Sequence, residues 1–92
     1  MSLSTSVIFD ASAPWSLSSQ VSLRDEAFGA LAYHHGNRRL VFLKSRELVA
    51  ILRSLENFNS VNEAIDAVVP NEHDRYVEAV GALVKSDIIC GR

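Results

Sequence analysis

Cysteine is almost missing from this chain of 92 residues. Cys90 stands alone, so no internal disulfide can form, and such usage fits a reducing compartment. Its neighbours Ile89 and Gly91 offer nothing that would activate it as a nucleophile. Long apolar runs are missing too. No stretch approaches the ~20 residues of a membrane span, and the start lacks the basic region and apolar core of a signal peptide. The expectation is a cytoplasmic protein that contacts no membrane. The four glycines (29, 36, 81 and 91) are scattered, which excludes a glycine-rich phosphate loop. A net charge of −2 lacks the basic excess that non-specific nucleic-acid binding requires.

What is present suffices for one domain with its own core. Residues 1–14 hold four serines and a threonine around Val7-Ile8-Phe9 and end at Pro14; they read as a loosely ordered terminal segment. Residues 15–92 form the domain. Trp15, Leu17, Val21 and Leu23 alternate with polar residues, which predicts one half-buried strand over 15–23. Arg24-Asp25-Glu26 then reads as a polar connection, and Gly29 as a bulge.

Residues 27–44 predict a β-hairpin, Phe28–His35 against Arg38–Leu43. Gly36-Asn37 is taken as a two-residue type II′ turn with Gly36 at positive φ. That turn places Tyr33 opposite Leu40 and Leu31 opposite Phe42. The backbone groups of Arg39, Val41 and Leu43 then point away from the preceding strand. Ala30, Ala32, Val41 and Leu43 share the other face, so both faces are apolar and want cover. Trp15, Phe28 and Phe42 are assigned to the core. No strand pattern follows Lys44, which leaves Leu40–Leu43 at an open edge able to accept another strand.

Three helices follow. Ser45 caps the first, with Leu48, Leu52 and Leu55 on its stripe; Ser60-Val61-Asn62-Glu63 is a capping box for the second, which Pro70 stops. The third spans about 72–87, with Tyr76, Val77, Val80, Leu83 and Val84 inward. The order βββααα implies an α+β domain, a three-stranded antiparallel meander followed by three helices.

Catalytic and metal chemistry find little support. His34 and His35 point to opposite faces of a strand and cannot share a metal. His73 stands alone at a helix start. No nucleophile–base pair suggests itself, so no enzyme, metal or cofactor is expected. The third helix carries Glu72, Asp74, Glu78 and Asp87 against Arg75 and Lys85, which would repel a phosphate backbone.

The sequence resembles the PqqD-like peptide chaperones, the precursor recognition elements of ribosomally made, post-translationally modified peptides. Among these it is most similar to the mycofactocin-system chaperones. The residues that carry the likeness are Val21-Ser22-Leu23-Arg24, Phe28-Gly29-Ala30-Leu31, the block from Tyr33 to Ser45, Glu47-Leu48-Val49 and Leu83 to Ile89. The resemblance implies a winged-helix-like fold and a non-enzymatic role. Members bind the leader of a precursor peptide as an added strand and present it to a radical S-adenosylmethionine enzyme. Carried over, the peptide-binding residues are Arg38, Arg39, Leu40, Val41, Phe42 and Leu43 on the edge strand. Tyr76, Ala79, Val80 and Leu83 on the third helix complete them. The cations Arg38, Arg39, Lys44, Arg46 and Arg53 would favour an acidic leader. The rival uses of the same edge are a structural or homodimerising module and a winged-helix DNA-binding domain.

Overall fold

Short alternating stretches and capped apolar stripes become five strands and three helices in the computed structural model, which describes residues 9–92. Val7 and Ile8 of the apolar triplet lie outside the described residues. In chain order the elements are β1 (Trp15–Leu17), β2 (Val21–Glu26), β3 (Gly29–His34) and β4 (Leu40–Leu43), then α1 (Arg46–Ser54), α2 (Val61–Val68), α3 (His73–Ala82) and β5 (Ile89–Gly91). Single 3-10 turns cover Leu55–Asn57, Pro70–Glu72 and Leu83–Ser86. The fold is α+β. Strands β2-β3-β4 form an antiparallel meander, and β1 pairs with β5 in a separate antiparallel ribbon.

The helix signals behave as their chemistry demands. Ser45 Oγ accepts the Leu48 N–H at 3.1 Å, and Ser60 Oγ accepts the Glu63 N–H at 3.1 Å. Glu63 reaches back one residue further than a standard capping box, to the Asn59 N–H at 3.4 Å. The third helical stretch tightens into a 3-10 turn at Leu83 and ends on Asp87 in the left-handed region, φ 58°. Leu43, Ile51, Leu52, Leu55, Val61, Ile65, Val80 and Ile88 are fully buried between the helices and one sheet face. Each such side chain contributes roughly 1.5–3 kcal/mol of burial free energy.

Four strand-level expectations need correction. The 15–23 strand breaks at Ser19-Gln20, because Trp15–Leu17 pairs with β5 while Val21 starts a different sheet. Arg24-Asp25-Glu26 is not a connection; β2 runs through it to a two-residue turn at Ala27-Phe28. A strand does follow Lys44: β5 is too short to display an alternation, and only its partner β1 defines it. The β3–β4 loop has four residues, His35 to Arg38, closed by the Arg38 N–H to His34 O bond at 2.8 Å and the His34 N–H to Arg39 O bond at 2.9 Å. Its positive φ, 63°, falls on Arg38 and not on Gly36.

Side chains hold this loop. His34 is buried, and its Nδ1 accepts the N–H groups of Gly36 (3.0 Å) and Asn37 (3.1 Å). Asn37 Oδ1 takes the Arg39 N–H at 2.9 Å. Gly36 is needed for room, since a Cβ there would sit 2.9 Å from His34 Cε1. His73 is not alone either: its Nδ1 lies 2.7 Å from Asp66 Oδ1 and its Nε2 2.8 Å from Asn62 Oδ1, which ties α3 to α2.

Candidate functional site

The four-residue loop keeps the expected pairing of Tyr33 with Leu40 and Leu31 with Phe42 but reverses its hydrogen-bond phase. Because His34 bonds to Arg39, the bonded pairs further along are Ala32–Val41 and Ala30–Leu43. The backbone groups of Val41 and Leu43 therefore face β3. Those of Leu40 and Phe42 face outward, which corrects the expectation for Arg39, Val41 and Leu43. Strand β4 borders only β3, so among the described residues nothing pairs with this edge.

Helix α3 runs beside β4 in the opposite sense and is tied to it at both ends. Ser45 Oγ, just after β4, lies 3.1 Å from the Tyr76 hydroxyl, and Asn37 Nδ2, at the loop before β4, donates to Ser86 O at 3.3 Å. Tyr76, Val80 and Leu83 form the buried inner stripe of α3. At 100° per residue, Ala79 and Ala82 flank that stripe on the side opposite Gly81. The opposite flank is taken: Phe9 packs on Gly81, where a Cβ would come within 2.9 Å of its ring, and its ring lies tilted against Trp15 with centroids 5.2 Å apart. Residues 9–13 thus lie away from the β4 edge, with Ala11 O accepting the Asn62 N–H.

The ten residues of the expected site fall into three groups. Arg38, Arg39, Leu40 and Phe42 are exposed; Val41 and Ala79 are half-buried; Leu43, Tyr76, Val80 and Leu83 are core residues. Phe28 and Phe42, assigned to the core by composition, are 45% and 57% exposed. The helices lie on the Ala30–Ala32–Leu43 face, and among the described residues the sheet's other face stays open. Among the described residues strand β2 is a second unpaired edge that the pattern did not reveal. It is crossed by the Arg53–Asp25 ion pair at 2.8 Å and carries the Arg24–Glu26 pair, and such charge discourages strand addition.

Electrostatics at the β4 edge are positive. Arg38, Arg39 and Lys44 have no ion-pair partner among the described residues, whereas Arg53 is held by Asp25. At the start of α3, Glu72 holds Arg75 at 2.8 Å and raises its pKa above the ordinary value. Arg75 also lies over the Tyr76 ring at 5.7 Å. Among the described residues no three His, Cys, Asp or Glu side chains gather as a metal site, and no helix is long and apolar enough to cross a membrane. The arrangement offers outward backbone donors and acceptors at Leu40 and Phe42, their exposed apolar side chains, and cations. These suit the binding of a peptide strand.

The model of the Peptide chaperone MftB family matches residues 14–90, which spans β1 to β5. The chain is similar to "Peptide chaperone MftB" of Mycobacterium ulcerans (strain Agy99), 42% identical over 83 residues, covering 88% of this chain and 76% of the relative. Its likeness to the protein of that name in Mycolicibacterium smegmatis (strain ATCC 700084 / mc(2)155) is 39% over 85 residues, covering 90% and 83%. For that of Mycobacterium tuberculosis (strain ATCC 25618 / H37Rv) the identity is 36% over 86 residues, covering 91% and 79%. No solved structure matches the chain. The chain belongs to the Peptide chaperone MftB family, a family of non-catalytic chaperones.

Proposed function

We propose that residues 15–92 bind the leader of a ribosomally made precursor peptide by strand addition along β4. The bound peptide is presented to a radical S-adenosylmethionine enzyme in cytoplasmic mycofactocin biosynthesis. The observation that carries this reading is the β4 edge, unpaired among the described residues, with outward backbone groups at Leu40 and Phe42.

Magnitudes assign the parts their work. Two outward residues supply at most four ladder bonds, at ~1 kcal/mol each. Ordering a disordered leader costs ~2–5 kcal/mol. The ladder therefore sets register and direction, and affinity comes from apolar burial. About 200 Å² of it, at ~25 cal/mol per Å², contributes ~5 kcal/mol.

The test is a titration of a fluorescein-labelled cognate leader into native protein, Phe42→Ala and Phe42→Pro. Proline at 42 removes an outward N–H that β3 does not use, so the fold survives. Saturable binding that Phe42→Pro weakens well beyond Phe42→Ala is the expected result. Equal affinities for the two variants would place the peptide off this edge. A concentration-dependent dimer with no leader binding would assign the edge to self-association.

A further inference from the structure

The guest strand has two faces, and the groove beside α3 receives only one of them. Side chains of an added strand alternate, so every second one lands on the outer sheet face, ~4.8 Å from β4. There β4 presents Leu40 and Phe42, more than half exposed, followed on the same face by Lys44. Leu31, opposite Phe42, adjoins them, and the Phe28 ring meets Phe42 edge-on at 6.1 Å. Phe28, Leu31 and Phe42 line a cleft of about 450 Å³ together with Arg24, Glu26 and Lys44. A sheet whose second face is solvated alternates to polar residues there. This one does not, and the apolar row runs continuously to the open edge.

Resting on the strand-addition reading, we propose that this outer face is a second half of the peptide site, so that the guest strand is read on both faces. The occupant is the bound peptide itself, and its chemistry follows from the row it lies beside. In antiparallel pairing the residues opposite Lys44, Leu43, Phe42, Val41 and Leu40 are in turn acidic and then four times apolar. Arg39 and Arg38 at the far end favour a second acidic residue. The recognised segment is a short unbroken apolar run bounded by acids. A groove reading one face would instead accept an alternating apolar–polar strand.

Three labelled synthetic peptides test this by fluorescence anisotropy: Glu-Asp-Val-Leu-Val-Leu-Asp-Glu and its two half-polar versions, in which either the valines or the leucines become serine. Native protein is expected to bind both half-polar peptides at least ~5-fold more weakly than the parent, the loss that one face's contacts imply. Phe42→Thr, checked for fold by circular dichroism, should weaken the parent by a similar factor. It should leave unchanged the half-polar peptide whose outer residues are already serine. Leu40→Thr is read in the same way if Phe42→Thr does not fold. A parent peptide bound equally by native protein and both Thr variants overturns the two-faced site while leaving strand addition standing. A parent peptide that native protein does not bind overturns both. A dimer lost in Phe42→Thr with peptide binding intact also overturns it, assigning the face to a second copy.

Discussion

His34 shows how much a single side chain decides. Its buried ring accepts two backbone N–H groups with one nitrogen and so shapes the loop that sets the phase of β4. His34→Leu orphans both donors and should cost about 2–4 kcal/mol in urea unfolding. His35→Ala, on the exposed neighbour, should stay within about 1 kcal/mol. Asp10 makes a milder case. The Ser12 hydroxyl, at 2.6 Å, and then the Ser12 N–H, at 2.9 Å, hold its carboxyl below the ordinary 3.8. A depressed carboxylate contributes stability above its unfolded value and loses that contribution as pH falls through the folded one. Ser12→Ala should therefore move the Asp10 titration upward, which side-chain carboxyl NMR would register.

Among the elements, β4 is the one whose details govern function. Gly29, at φ 149°, lets the start of β3 pass the end of β4, and a Cβ there would lie 2.1 Å from Leu43 O. Gly29→Ala should lower stability by more than ~2 kcal/mol by thermal or urea unfolding, whereas Gly91→Ala, whose Cβ meets nothing, should be near neutral. The two faces of the β4 ladder respond differently to proline. Val41→Pro removes an N–H that pairs with Ala32 and should unfold or strongly destabilise the domain. Phe42→Pro should melt close to native. The register of this hairpin was legible because a two-residue loop closed by 35 and 38 and a four-residue loop closed by 34 and 39 align the same residues. The phase was not legible, since it depends on the His34 ring and Asn37 side chain outcompeting the Gly36 turn. Phe28 and Phe42 misled for a related reason: hydrophobicity implies burial but does not say by what.

At the scale of the molecule, distant ends close the core. The Arg92 guanidinium donates to the carbonyls of Glu56 at 3.1 Å, Leu55 at 3.3 Å and Phe58, and the Arg92 N–H bonds to Pro14 O at 3.1 Å. Arg92→Ala should cost about 1–3 kcal/mol, measured by urea unfolding, because charged donors leave three carbonyls at once. The charge distribution is equally global. Net charge is −2, yet Arg38, Arg39 and Lys44 gather at one edge. Leader affinity should fall as salt rises from low to physiological levels; an affinity indifferent to salt would show that these cations only guard the edge against aggregation.

Local patterns determined the three helices, their Ser45 and Ser60 caps, the meander that precedes them and the family likeness, because capping and periodicity act within a few residues. What only the tertiary structure decided were the features that depend on distant partners. The β1–β5 ribbon joins residues more than seventy positions apart, and neither strand is long enough to announce itself. The outward phase of Leu40 and Phe42 rests on a buried imidazole. Among the described residues one sheet face is left open because α1 packs on the other side and α2 and α3 pack on α1, a choice that no single stretch of the chain contains.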